Sequence, residues 1–224
     1  MLYASQPVTR PASKCAATKK SEELVVDFRP FEEVKPALAT VEKAQPSDSF
    51  ARVDYTPTLE SAINEQINIE YNISYVYHAL HSYFDRDNVA LPNIAKYFNE
   101  QSLEERSHAQ SLIRYQNKRG GRVKLHALVG TQSEFDHSEK GDALYAFELA
   151  LSLEKLNFTK LWRLHDVAVQ ANDPEACNYI EDMLDEQAAD VKTAAEYVSQ
   201  LRRVDKGLGV YVFDKTFQEE DGVA

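Results

Sequence analysis

The chain has 224 residues, 43% hydrophobic and 27% charged, with only seven Gly and eight Pro. That is enough for one domain with an appendage and a sizeable core, in a composition that leans to helix. The net charge of −11 argues against nucleic acid or an anionic membrane as partner, and favours cations wherever the acids cluster.

Cys15 and Cys177 lie far apart and make no disulfide framework, which fits a reducing compartment better than secretion. No apolar run approaches the roughly 18 residues of a membrane span. Residues 1–21 carry Arg10, Lys14, Lys19 and Lys20 with no acid. That is the composition of an organelle transit peptide, whole or in part, and equally of a disordered tail. Over 22–52, Phe28, Phe31, Val34 and Leu38 recur at helical spacing around Pro30, which predicts a short helix followed by a loop at Ala44 to Ser49. This segment is too small to fold alone and should pack on the main body or on a neighbouring subunit.

The span 53–206 reads as four long amphipathic helices. The first runs from Pro57 to Phe84 behind Thr56 as N-cap, with Ile63, Ile67, Glu70, Ser74, Tyr77, His81 and Phe84 on its inward stripe. The second runs from Pro92 to about Arg119, where Gly120 and Gly121 stop it; its stripe is Ile94, Phe98, Gln101, Glu105, His108, Leu112 and Tyr115. An unpunctuated connection from Arg122 to Asp136 is long enough for a crossover, so the third helix need not run antiparallel to the second.

That third helix is expected to start near Asp136 or Ser138, in a capping box with Glu139, and to end before Asn172. Its stripe is Leu144, Phe147, Leu151, Glu154, Phe158, Leu161 and His165. The fourth opens at Asn172-Asp173-Pro174-Glu175, read as another capping box, with Ile180, Leu184, Gln187, Val191, Ala194, Val198 and Leu201 inward. Residues 207–224 add a short fifth helix after Gly207 and Gly209, and a fraying tail.

Such stripes are normally plain core. Each of these, however, holds a polar group near its centre: Glu70, Glu105 with His108, Glu154, and Gln187. Glu105 and His108, three residues apart, stack on one helical face. Buried carboxylates are costly unless paired or bound to metal, and none of the four stripes carries Arg or Lys. The set therefore asks for a bound cation, and oxygen-rich, thiol-free ligation suits iron or manganese. Di-iron carboxylate bundles use a Glu from each of two helices and Glu-x-x-His from the other two. Here Glu105–His108 is the sole Glu-x-x-His on the stripes, because Glu186-Gln187 has no His three residues on. The site is lopsided, which favours passing metal on over keeping it.

The chain resembles the ferritins, and most closely the plastid ferritins of plants and green algae. The resemblance covers about residues 22 to 218. It is carried by Asn64-Glu65-Gln66-Ile67-Asn68-Ile69-Glu70-Tyr71-Asn72, Tyr83-Phe84-Asp85-Arg86-Asp87-Asn88, Glu104-Glu105-Arg106-Ser107-His108-Ala109, Gln116-Asn117-Lys118-Arg119-Gly120-Gly121 and Ala150-Leu151-Ser152-Leu153-Glu154-Lys155. It continues through Glu196-Tyr197-Val198-Ser199-Gln200-Leu201-Arg202-Arg203-Val204. Phe31-Glu32-Glu33-Val34-Lys35 is similar to the extension peptide of the plant-type proteins.

The resemblance implies an all-α, ferritin-like four-helix bundle with a long crossover between its second and third helices. It further implies a plastid location and a shell of two dozen subunits that oxidises Fe(II) with dioxygen and stores ferric mineral. Glu70, Glu105 and His108 match the better iron site. Glu105, Glu154 and Gln187 match the second, with Tyr77 and Glu104 beside them. This is the catalytic, H-type set.

Two departures stand out. The inner-wall patch where mineral nucleates keeps Glu100 and Glu104 but has Leu103 and Ser107. The fourth helix is one residue short between Pro174 and Gln187, so the channel acids fall on Asn178 and Glu181 beside His165 in one register, whereas Ile180 takes an acid's place in the other. Two alternatives remain: a shell subunit that stores iron without oxidising it, and a di-iron redox enzyme of rubrerythrin type.

Overall fold

A computed structural model describes residues 30–43, 45, 48–204 and 206–216. The expected leader, the side chains of Phe28 and Phe31, and the tail lie outside the described residues. Two units are distinguished, 1–47 and 48–224. In the first, α1 (Pro30–Lys43) has Glu32 and Glu33 in its opening turn and Lys43 in its last, complementing the helix dipole. Its Val34, Leu38 and Val41 are exposed.

The second unit holds α2 (Pro57–Phe84), α3 (Pro92–Lys118), α4 (Asp142–Gln170), α5 (Pro174–Val204) and α6 (Leu208–Thr216). Helix α2 starts as the sequence predicts: Thr56 accepts the Leu59 N–H at 3.2 Å, with Pro57 in the first turn. Helix α3 stops at Gly120, whose φ of 73° lets the Gly121 N–H fold back to the Gln116 carbonyl at 2.9 Å.

Antiparallel pairing is fixed by cross-bundle contacts. Ser74–Ser102 and Glu60–Gln116 join α2 to α3, Gln66–Asn157 and Tyr77–Glu154 join α2 to α4, and Glu148–Arg202 and Glu154–Gln187 join α4 to α5, the numbers rising on one helix as they fall on the other. With α2 antiparallel to both α3 and α4, the helices α3 and α4 run the same way. The crossover makes this possible. It is held against α2 by asparagines one turn apart. Asn64 donates to the Arg122 carbonyl at 2.9 Å and accepts from the Lys124 N–H at 2.8 Å. One turn on, Asn68 donates to Ala127; a further turn on, Asn72 accepts from the Val129 N–H at 2.9 Å. These side chains stand in for the sheet or helix ladder that an irregular segment lacks.

The expectation of a third long helix from Asp136 or Ser138 is corrected: α4 begins at Asp142. The Asp136–Glu139 capping box does not form. The His137 ring instead accepts the Glu139 and Lys140 N–H groups in a closed turn, and Gly141, at φ 79°, redirects the chain into the helix. The capping box at Asn172 is corrected as well. Asn172, at φ 53°, ends α4, and Asp173 caps α5 by accepting the Ala176 N–H at 3.0 Å. Glu175 turns away to Tyr115, Lys118 and Arg119.

Helix α3 has no side-chain cap of its own. Its opening N–H groups at Asn93 and Ile94 are taken at 3.0 Å by Asp214 of α6, a fully buried carboxylate. An acceptor at a helix start contributes roughly 1–2 kcal/mol, and more with charge. Asp214→Ala should therefore lower stability by about 2 kcal/mol in thermal or urea unfolding, with Asp214→Asn costing less.

The core divides into two apolar clusters. One gathers Phe84, Phe98, Phe135, Phe147 and Phe213 around the far end of α2. The other gathers Leu59, Ile63, Ile67, Leu112, Leu161 and Ile180 around its start. Truncating a core Phe to Ala typically costs 3–5 kcal/mol, so these clusters are stiff walls. Between them, in every long helix of this unit, lies one buried polar layer.

Candidate metal centre

That layer contains Glu70, Glu105, Glu154, Asn157 and Gln187, none more than 5% exposed, with His108 at its edge. Ligand atoms of Glu70, Glu105 and His108 lie within 4.8 Å of one another. His108 Nδ1 is 3.6 Å from Glu105 Oε2. Among the described residues, Glu105 Oε2 is the buried side-chain oxygen with no hydrogen-bond partner. An orphaned carboxylate oxygen facing a second carboxylate and an imidazole is a cation-binding arrangement.

The electrostatics agree. Burial, then repulsion from Glu105, pushes the Glu70 carboxyl well above its usual range. Burial pushes Glu105 up to about 8, with Glu154, Glu104 and Asp190 adding to the rise. Burial raises Glu154 too, while hydrogen bonds from Tyr77 and Gln187 hold it down. The Tyr77 hydroxyl donates to Glu154, and burial and that neighbour push the phenol upward. Acids that resist ionisation are what a site awaiting a positive ion should show.

Amides complete the layer. Glu70 accepts from Gln66 at 2.7 Å and from Asn157 at 3.0 Å; Asn157 donates to Gln187 at 2.8 Å, and Gln187 donates to Glu154. Sequence reading missed Gln66 and Asn157. The predicted α4 stripe followed the larger apolar residues to Phe158, whereas the buried face uses Ala143, Ala146, Ala150 and Ala168, small residues that admit close helix packing. Asn157 had a usable signal: it follows Glu154 by three residues, as His108 follows Glu105.

A second cluster, Glu104, His108 and Glu186, shares the imidazole and opens toward solvent. His108 Nε2 is 3.7 Å from Glu186, and nearby Asp190 is pushed up to about 6 by burial, Glu104 and Glu154. Glu100 is not brought in; it is exposed and pairs with Lys96 at 3.7 Å. His165 and Glu181 stand apart from the centre as a pair 3.0 Å long. Ile180 is fully buried while Asn178 and Glu181 are exposed, although Gln187, further along α5, is buried as well.

A four-helix bundle with a crossover, carrying a carboxylate–imidazole set that could hold a metal ion between two apolar clusters, defines a helical protein of ferritin-like architecture. Residues 60–204 match the family described as a ferritin-like domain. A chloroplastic ferritin-3 of Glycine max is 58% identical over 200 residues, covering 89% of this chain and 78% of that protein. One from Arabidopsis thaliana is 58% identical over 205 residues, covering 91% and 79%. The crystal structure of ferritin from the multicellular green alga Ulva pertusa superposes with a TM-score of 0.84 at 58% identity, covering 86% of this chain and 99% of that one. The chain belongs to the ferritin family.

Proposed function

We propose that this is an H-type plastid ferritin subunit. It oxidises Fe(II) with dioxygen at the buried centre and stores the ferric product as mineral inside a 24-subunit homo-oligomeric shell. The observation that carries this reading is the orphaned Glu105 Oε2 between Glu70 and His108. A subunit that only stored iron would have no reason to sustain three buried carboxyl groups around one unpartnered oxygen. Among the described residues no helix is long and apolar enough to cross a membrane.

Iron is the substrate. Glu70, Glu105 and His108 hold one Fe(II); Glu105, Glu154 and Gln187 hold its neighbour, and each ion yields one electron to dioxygen. Placing two ions in one dry layer turns an encounter in water into a reaction between positioned partners. Tyr77 keeps Glu154 oriented through its hydroxyl. The Glu104–His108–Glu186 group then offers the product a stepwise path toward solvent, since His108 belongs to both clusters. Entry is assigned to the His165–Glu181 pair with Asn178 in place of an acid, which weakens the attraction for cations there. Leu103, which is exposed, and Ser107 thin out the nucleation patch beside Glu104. Residues 1–21 are assigned as leader, 22–52 as extension peptide, 53–206 as bundle and 207–224 as C-terminal helix and tail.

Rapid mixing of metal-stripped protein with Fe(II) and air should give fast oxidation that Glu105→Ala with His108→Ala slows at least 100-fold. Oxidation by the double variant at the wild-type rate would remove the centre from this role.

A further inference from the structure

The amide groups of the polar layer form a chain whose polarity is dictated from both ends. An ionised carboxylate only accepts hydrogen bonds, and Asn157 Nδ2 and Gln187 Nε2 each lie against a carboxyl oxygen. Glu154 takes the Tyr77 hydroxyl and the Gln187 NH2. Gln187 therefore turns its oxygen to Asn157 Nδ2, 2.8 Å away. The same Nδ2 reaches Glu70 Oε2 at 3.0 Å, and Asn157 turns its own oxygen to Gln66 Nε2 at 2.7 Å. Asn157 is fully buried and touches ligands assigned to opposite halves of the centre.

We propose that Asn157 is a positioning residue that couples the two halves of the metal centre through reversal of these amides. The proposal rests on the reading given under the proposed function. For Gln187 to offer its oxygen to a cation beside Glu154, its amide must reverse. Its NH2 then faces Asn157 Nδ2, donor against donor, so Asn157 reverses too, turning Gln66 with it to avoid the same conflict, and withdraws its N–H from Glu70. Glu70 loses a hydrogen bond that competes for its charge and becomes the stronger ligand. In the other direction, a cation on Glu70 weakens its claim on the Asn157 N–H and frees Gln187 to turn. Linkage makes the two effects equal in size. The halves fill as a pair, which is what a two-ion reaction needs.

The test is titration of the metal-stripped full chain with Zn2+ by calorimetry and with Co2+ by visible absorption. Glu105→Ala serves as the baseline for ions bound elsewhere. Wild type should fill both halves in one cooperative step, and the Co2+ band of the first half should change as the second fills. Asn157→Leu, similar in volume but without donors, should split this into two steps at least 10-fold apart in free ion, with the first band unmoved. Asn157→Thr, whose hydroxyl donates or accepts by rotation, should restore the single step. If Asn157→Leu does not fold, the smaller Asn157→Val, which removes the same amide, should give the same split. A single step retained in the Leu variant overturns the coupling, and so does a Thr variant that behaves like Leu. Wild type binding no more ions than Glu105→Ala is a different result, because it removes the centre itself.

Discussion

Glu105→Gln should make the metal-stripped protein more stable while slowing iron oxidation by two orders of magnitude or more. Glu105 is buried beside Glu70 and keeps one oxygen without a partner, so a neutral amide there avoids both the burial of a charge and the uptake of a proton that replaces it. A gain of roughly 1–3 kcal/mol is expected. The pH dependence gives the sharper signature. The carboxyl titrates at about 8 in the folded chain, against 4.5 for an unperturbed glutamate. Between those values the folded state holds a proton that the unfolded chain releases, so rising pH favours unfolding. The stabilising contribution is complete below about pH 4.5 and lost as pH passes through about 8. Melting temperatures from pH 5.5 to 8.5 should therefore fall more steeply for wild type than for Glu105→Gln. Zn2+ at saturation should flatten the wild-type slope, because the ion displaces the proton. Equal slopes in the two proteins would mean that Glu105 ionises normally.

Gly120→Ala should be severely destabilising. A Cβ there would sit 2.5 Å from Ser49 Oγ, 2.7 Å from the Arg52 amide nitrogen and 2.9 Å from Arg52 Cα, at a φ of 73°. The left-handed conformation costs about 1 kcal/mol for a residue with a Cβ. The contacts add an overpacking cost of about 1–3 kcal/mol, because two of the three are backbone atoms that cannot swing aside. Gly141→Ala is the control. Its φ is 79°, but the nearest contacts are Lys206 side-chain atoms from 3.6 Å outward. Urea unfolding should show Gly120→Ala costing at least 2 kcal/mol more than Gly141→Ala. Equal losses would mean that the Ser49–Arg52 segment yields freely.

How much of this was legible in the chain depended on the range of the interaction. Helices α2 and α3 could be bounded to within a residue because their signals are local: Thr56 and Pro57 at one start, Pro92 at the other, Gly120 at a stop. Glu70, Glu105, His108, Glu154 and Gln187 were legible because a charge or amide midway along an apolar stripe contradicts its surroundings. The start of α4 was not. A capping pattern at Asp136 competed with one at His137, and nothing in the string says which ring or carboxylate reaches the free N–H groups. Asn157 was hidden because the α4 stripe was weighted by size, whereas the helix approaches its neighbours on alanines. Which of the adjacent Ile180 and Glu181 faces inward could not be read from the string either, since only packing decides it. Asp214 was beyond reach altogether, because its partners at Asn93 and Ile94 precede it by more than a hundred residues.

That last contact sets a rule for anyone attaching a passenger to this protein. The end of the chain reads like a disposable place for a tag, yet α6 finishes a helix begun 121 residues earlier. A tether that tugs on α6 withdraws Asp214 from Asn93 and Ile94 and frays α3 from its first turn, three turns upstream of Glu105. Hydrogen exchange at those two amides would register the strain before any loss of iron handling did.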